Sequence, residues 1–174
     1  MKRDHRGFSM VELAVVIAII GILAGVSVSM FNQIHYANAM KAVEAVSSKL
    51  DSQRITSMSQ KDTQYLYIYH LDDGYYMMAL KDDGSGSDPC LDSFNADLLD
   101  ASGIKICNNA IEIYIDSESG KLVTGNDIIR IVYKRSGVFD TSEKGTKVNK
   151  ILFVGSSGTH TISLIMETGK HYTD

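Results

Sequence analysis

Hydrophobic and polar positions divide the chain into three regimes. From Leu13 to Val28 no residue is charged, and the run Leu-Ala-Val-Val-Ile-Ala-Ile-Ile-Gly-Ile-Leu-Ala-Gly-Val-Ser-Val is apolar on every face. Extended to Phe31 it holds about 19 residues, close to the ~20 that a helix needs to cross a bilayer core. An all-round apolar helix is not an amphipathic surface helix. Beyond Phe31 the pattern changes. Ile34, Ala37, Met40, Val43, Val46 and Leu50 recur every three or four residues, with Asn38, Lys41, Glu44, Ser48 and Asp51 between them, which is a helical period. Neither Pro nor Gly occurs from Val26 to Asp73. The pattern therefore predicts one helix from about Phe8 to about Ser57, ~75 Å long at 1.5 Å per residue. That exceeds a membrane span, so the second half is expected to lay its stripe on a globular head.

The third regime has strand periodicity. Gln64–His70 alternates and is rich in aromatic and β-branched residues, as strands are. Leu71-Asp72-Asp73-Gly74 is a turn signal and Tyr75–Leu80 the return strand of a hairpin. Further strands are expected at Ile111–Ile115, Ile128–Tyr133, Lys150–Val154 and Thr161–Met166, with turns at Asp116–Gly120 and Ser156–Gly158. A helix followed by a run of strands predicts an α+β fold with an antiparallel sheet. The expected divisions are residues 1–7 ahead of the helix, 8–30 as its membrane half, 31–60 as its amphipathic half and 61–174 as a β-rich head.

Composition bounds the function classes. The chain has 174 residues, 44% hydrophobic and 22% charged, enough for one domain with a core plus one long extra element. Its formal charge of -4 argues against a general nucleic-acid binder. The charge is uneven. Lys2, Arg3 and Arg6 against Asp4 give the first seven residues +2, so the remainder carries -6. Basic residues ahead of an apolar helix favour a cytoplasmic N-terminus and place the rest of the chain outside.

An ordinary secretory signal, with Ser27-Val28-Ser29 as a small-residue cleavage site, also fits the apolar run, and so does a plain anchor. Neither accounts for Glu12. A carboxylate costs about 2.5–3.5 kcal/mol at the centre of a membrane helix and less near its end, so its presence points to a function and a partner.

The segment Gly7-Phe8-Ser9-Met10-Val11-Glu12-Leu13, followed by Val15-Val16-Ile17-Ala18-Ile19-Ile20-Gly21-Ile22-Leu23-Ala24, resembles the prepilin signature of type IV pilins and of the pseudopilins of competence and type II secretion systems. The resemblance covers about 25 residues. It implies a pilin fold, cleavage at Gly7–Phe8 by a membrane prepilin peptidase, N-methylation of Phe8, and passage through an inner-membrane assembly platform into a filament of pilin subunits. It also supplies a partner for Glu12: the positive Phe8 terminus of a neighbouring subunit in the filament core. Because an unpaired buried charge is costly, that pairing would set the register between helices. Many major pilins have Pro where this chain has Ser29, so a locally melted helix does not carry over. The C-terminal segments Ile151–Thr159 and Thr161–Lys170 more loosely resemble the GspH/FimT class of minor pseudopilins and pilins.

Other chemistry is weaker. No histidine lies near a recognised nucleophile motif, and Gly155-Ser156-Ser157-Gly158 lacks the spacing of a nucleophile elbow, so no catalytic residue, no metal site and no cofactor is expected. The acidic loop Asp82–Asp88 offers carboxylates of the type calcium uses without a known ligand spacing, and is expected to be a solvated surface loop. Lys134, Arg135, Lys144, Lys147 and Lys150 could meet DNA phosphates as in some FimT-like pilins, although Asp140 and Glu143 interrupt the run. The resulting expectation is a non-enzymatic filament subunit, a minor pilin or pseudopilin held in the cell membrane by one span and in contact with lipid. The alternatives are an accessory DNA- or ligand-binding pilin and a simple membrane-anchored surface protein.

Cys90 and Cys107 fall on the outer side of the apolar segment, where an oxidising compartment permits a disulfide. The loop of about 18 residues would contribute about 3 kcal/mol. A Cys90–Cys107 bond is expected in protein made outside the cytoplasm. Mass spectrometry that found two free thiols in freshly isolated protein would remove it.

Overall fold

Helix α1 runs from Met10 to Ser59, close to the span predicted from the absence of Pro and Gly. The computed structural model describes residues 9–60, 63–81, 103–116, 120–124, 127–143 and 146–174. Contacts within it define two units, Met1–Ile34 and His35–Asp174. At the end of α1, Ser57 Oγ donates to Arg54 O at 2.8 Å and Ser59 Oγ to Thr56 O at 3.0 Å. These hydroxyls serve carbonyls near a terminus where the helix ladder runs out.

Eleven strands follow among the described residues: β1 Gln64–Leu71, β2 Gly74–Lys81, β3 Ile104–Cys107, β4 Glu112–Ile115, β5 Lys121–Leu122, β6 Ile128–Tyr133, β7 Phe139–Glu143, β8 Thr146–Lys147, β9 Lys150–Gly155, β10 Gly158–Ile165 and β11 Lys170–Thr173. They form two antiparallel sheets, ordered β3-β2-β1-β6-β7-β8 and β11-β10-β9-β4-β5. The fold is thus α+β, as the sequence predicted. The β1–β2 hairpin turns on Asp72 and Asp73, with Leu71 opposite Gly74. Gly74 has φ +147°, and a Cβ there would collide with the Cys107 carbonyl. The β9–β10 hairpin turns on Ser156 and Ser157 between Gly155 and Gly158.

The core is built by alternation. Leu66 and Ile68 of β1, Tyr75 and Met77 of β2, and Ile129, Ile131 and Tyr133 of β6 share one buried cluster with Ile113, Ile151, Phe153, Ile162 and Leu164 of the second sheet. Ala39, Ala42, Val43, Val46 and Leu50 of α1 join the same cluster. The two alanines contribute small side chains to the cluster, while Val46 and Leu50 fill volume. The other face of the first sheet is buried too. Tyr65, Tyr67, Tyr69 and Tyr76 form a second cluster with Leu71, Met78, Leu80, Ile128 and Val132, and Tyr69 stacks on Tyr76 at 6.1 Å between centroids.

The expected helix stripe needs one correction. Val43, Val46 and Leu50 are buried, but Ile34 is 54% and Met40 47% exposed, and Ala37 is exposed as well. At 3.6 residues per turn, successive steps of three each fall short by roughly 60°, so the set 34, 37, 40 rotates off the face that 43, 46 and 50 present. The buried face instead runs through Ala39, Ala42, Val43, Val46, Leu50, Gln53 and Ser57.

Ile68 has no exposed surface, so Ile68→Ala is expected to destabilise the head by about 2–5 kcal/mol. Ile55, on α1 and 64% exposed, is the control, with Ile55→Ala expected within about 0.5 kcal/mol of the parent. Urea unfolding followed by tyrosine fluorescence compares them. Equal midpoints for both variants would contradict this account of the core.

Candidate functional site

The start of α1 is organised by two side chains. Ser9 Oγ accepts from the Val11 N–H at 3.3 Å, and Glu12 Oε2 accepts from the Ser9 N–H at 2.9 Å. The Leu13 N–H donates to Ser9 O at 3.1 Å, the first bond of the helix ladder. This is a capping box, in which a hydroxyl at the cap and a carboxylate three residues on satisfy N–H groups that the helix cannot. Acidic groups are also favoured at this end by the helix dipole. The Ser-x-x-Glu spacing announces the motif in the sequence, but attention to Glu12 as a charge in an apolar run obscures it. Glu12 therefore has a task within its own chain. Its second oxygen, Oε1, has no partner among the described residues.

Above the cap, Met10–Ser27 has a mean hydropathy of 2.5, and none of it is buried. Leu13 is 57% and Ile22 68% exposed. This helix is long and apolar enough to cross a membrane. Within it Ser27 Oγ donates to Leu23 O at 2.8 Å, so the one hydroxyl of the span is satisfied inside the helix, as an apolar solvent requires.

The span also has a narrow face that the sequence reading passed over. At about 100° per residue, Ala14, Ala18, Gly21 and Gly25 fall within an arc of roughly 60°, and Glu12 lies on the opposite side. A Cβ added at Gly21 or Gly25 would meet nothing within 4 Å, so these glycines are not needed for contacts within the chain. Small residues at this spacing let membrane helices approach closely. The signal was present as Gly21-x-x-x-Gly25 but is hidden when the run is read only as uniformly apolar.

The remaining candidates are scattered. Gly7, Phe8, Lys144, the acidic loop 82–88 and Cys90, and with it the Cys90–Cys107 pairing, lie outside the described residues. Cys107 ends β3 and is buried. As a thiol, burial pushes it up to about 12, far from the depressed range of a reactive cysteine. Lys134 and Arg135 stand in the β6–β7 turn and Lys147 on β8, whereas Lys150 opens β9 in the other sheet. The basic run is thus divided between two sheets. His70 Nε2 meets Asn109 Oδ1 at 2.9 Å, His160 packs edge-on against Tyr36, and His171 meets Ser47.

Residues 2–28 match the family described as the prokaryotic N-terminal methylation motif. The match takes in Gly7, Phe8, the capping box and the apolar span, and agrees with a type IV pilin-like prepilin signal processed by prepilin peptidase. No curated protein and no solved structure matches the chain.

If the small-residue face is a helix contact, Gly21→Leu and Gly25→Leu separate anchoring from association. Each removes a residue that costs a helix interior about 1 kcal/mol, so insertion is expected to persist. Self-association in membranes, read by cross-linking or energy transfer between labelled copies, is expected to fall severalfold. Unchanged association in both variants would exclude this face as a contact.

Proposed function

We propose that the protein is a structural subunit of a type IV pilus, or of a type II secretion or competence pseudopilus, and that it works by assembly rather than catalysis. The observation that carries this reading is Glu12. It stands at the head of a fully exposed apolar helix, inside the methylation motif, with one carboxylate oxygen engaged by its own chain and the other open. Leader removal at Gly7–Phe8 would create a positive, N-methylated Phe8 terminus. In the low dielectric between packed helices, the open oxygen of Glu12 is the complement for that amine on a neighbouring subunit. Lipid is as apolar as the helix surface, so packing alone provides little drive for association, and the ion pair would supply both attraction and register.

In this reading residues 1–7 are the leader, 8–30 the membrane and polymerisation segment, 31–60 the half of the helix that serves the head, and 61–174 the head. The N-terminus would face the cytoplasm and the head the outside, until the assembly platform draws the subunit into a filament. A minor subunit of GspH/FimT type is favoured by the Phe153 strand, the Gly155–Gly158 turn and the closing Thr168-Gly169-Lys170. A Cys90–Cys107 bond would close residues 90–107 into a covalent ring.

Two measurements test this. Sequencing the membrane-extracted protein is expected to find a methylated Phe8 terminus. A chain beginning at Met30 would indicate an ordinary signal peptidase, and one beginning at Met1 a plain anchor. Glu12→Val is expected to insert and be processed, because it removes a charge from the span and leaves Gly7–Phe8 intact. The ratio of filament-associated to membrane-associated protein should nevertheless drop at least severalfold. A ratio equal to the parent's would remove Glu12 as the assembly determinant.

A further inference from the structure

One group of side chains in the head takes no part in this scheme. Where α1 passes β11, Ser47, Asp51 and Arg54 of the helix and Lys170, His171 and Thr173 of the strand line a polar cleft of about 280 Å³. The His171 side chain is only 7% exposed. Its Nε2 lies 2.7 Å from Ser47 Oγ, and its Nδ1 lies 4.0 Å from Asp51 Oδ1. Arg54 donates through Nη2 to Thr168 O at 3.2 Å, while its Nε is buried without an acceptor among the described residues. Among the described residues neither Arg54 nor Lys170 has an ion-pair partner.

The order Ser47, His171, Asp51 resembles a nucleophile, base and orienting acid, but the geometry does not support that chemistry. Asp51 is too far from the ring for a hydrogen bond. Ser47 is in the interior of α1, where backbone N–H groups are spent on the helix ladder, so no backbone oxyanion site stands beside it. The balance of charge is more informative. Two unpaired cations and two hydroxyls face the cleft, against one carboxylate that is 65% exposed at its rim. We propose that this cleft is a binding site for a small oxyanion, of carboxylate, phosphate or sulfate type, held by Arg54 and Lys170 with Ser47 and Thr173 as hydroxyl donors.

Size and geometry favour this ligand class. The volume lies at or below the roughly 300–1,000 Å³ of pockets that take drug-sized ligands. A guanidinium fork suits the planar edge of a carboxylate or the face of a phosphate. With Nη2 given to Thr168 O and Nε buried, Nη1 is the Arg54 group left for an anion in the cleft, and hydrogen bonds between charged partners are among the stronger ones.

The imidazole makes the site sensitive to pH. Burial is the first influence on His171 and holds it below its ordinary value; Asp51 works the other way, and Arg54 adds to the lowering. The charged and polar groups around the ring are Ser47, Asp51 and Arg54 from α1 and Lys170 and Thr173 from β11. Protonation, which this lowering moves to more acidic pH than for an ordinary histidine, adds a third positive charge. By reciprocity, an anion that binds the protonated form more tightly raises the pKa of His171.

The test uses the full chain in non-ionic detergent, titrated with sodium sulfate and, separately, sodium acetate. Sulfate keeps its charge across the range from about pH 5.5 to about pH 8. Calorimetry and the His171 ring resonances are the readouts. Saturable binding of either anion, about tenfold tighter at the lower pH and accompanied by an upward shift of the His171 titration, supports the site. The preferred anion names the ligand class. Arg54→Gln should weaken binding about tenfold and Lys170→Gln severalfold, with Lys105→Gln as the distant control. Lys170 is exposed, so Lys170→Gln remains informative where Arg54→Gln fails to fold. No saturable change with either anion, the same change with chloride at equal ionic strength, or unchanged affinity in Lys170→Gln would overturn the proposal.

Discussion

Most of what this chain does follows from apolar surface that it cannot cover by itself. Over Met10–Ser27 the helix is exposed on every side. In water that surface would be strongly unfavourable, at about 25 cal/mol per Å², so the segment belongs in lipid or against other helices. Both environments demand that polar groups be satisfied internally. The structure meets the demand at two points, where Ser9 and Glu12 close the first turn and Ser27 bonds back to Leu23. With those groups settled, the open Glu12 oxygen and the small-residue face are the features that distinguish one side of the span from another.

In the head the same helix is treated differently. From Ala39 to Ser57 it is buried along one stripe, and the sheets supply what lipid supplies further up. The two faces of the first sheet differ in chemistry: the one that shares the helix's cluster is mainly aliphatic, with Tyr75 and Tyr133 among its residues, and the other is tyrosine-rich. Phenolic rings bury large area and still need a partner for the hydroxyl. Tyr76 meets this need through Asp73, which also holds Lys105. Tyr133, on the helix-facing side, has no partner for its hydroxyl among the described residues, and burial pushes the phenol well above its ordinary value. It lies close to Asp51 and Arg54, beside the polar cleft.

The broad architecture was legible because its signals are long. An unbroken apolar run, a stretch free of Pro and Gly and the two strands of the Gln64–Leu80 hairpin leave little choice of element type. All six expected strands are present within a few residues of their predicted ends. Five others were not anticipated, for physical reasons. β5 and β8 have two residues each, too few to show a period. β7, Phe139–Glu143, is polar after its first residue, and β11, Lys170–Thr173, carries no aliphatic residue. β3, Ile104–Cys107, does alternate but is only four residues long. At the N-terminus, the sequence marked Glu12 but not the cap it shares with Ser9. Ser47 and His171 are 124 positions apart, and no local pattern brings them together.

The strand order has a consequence for how the head comes into being. The chain crosses between the sheets repeatedly: β1–β3 belong to the first, β4 and β5 to the second, β6–β8 to the first again and β9–β11 to the second. The central pairs are β1 with β6 and β4 with β9. Neither sheet has its middle until distant segments arrive, and closure of long loops must precede the contacts that reward it. A chain that emerges in sequence order therefore has Gln64–Leu71 and Glu112–Ile115 waiting as open edges until Ile128–Tyr133 and Lys150–Gly155 follow. Such edges are templates for pairing with other chains. The price of an interleaved head is a vulnerable interval while the chain emerges, before each edge meets the strand that covers it.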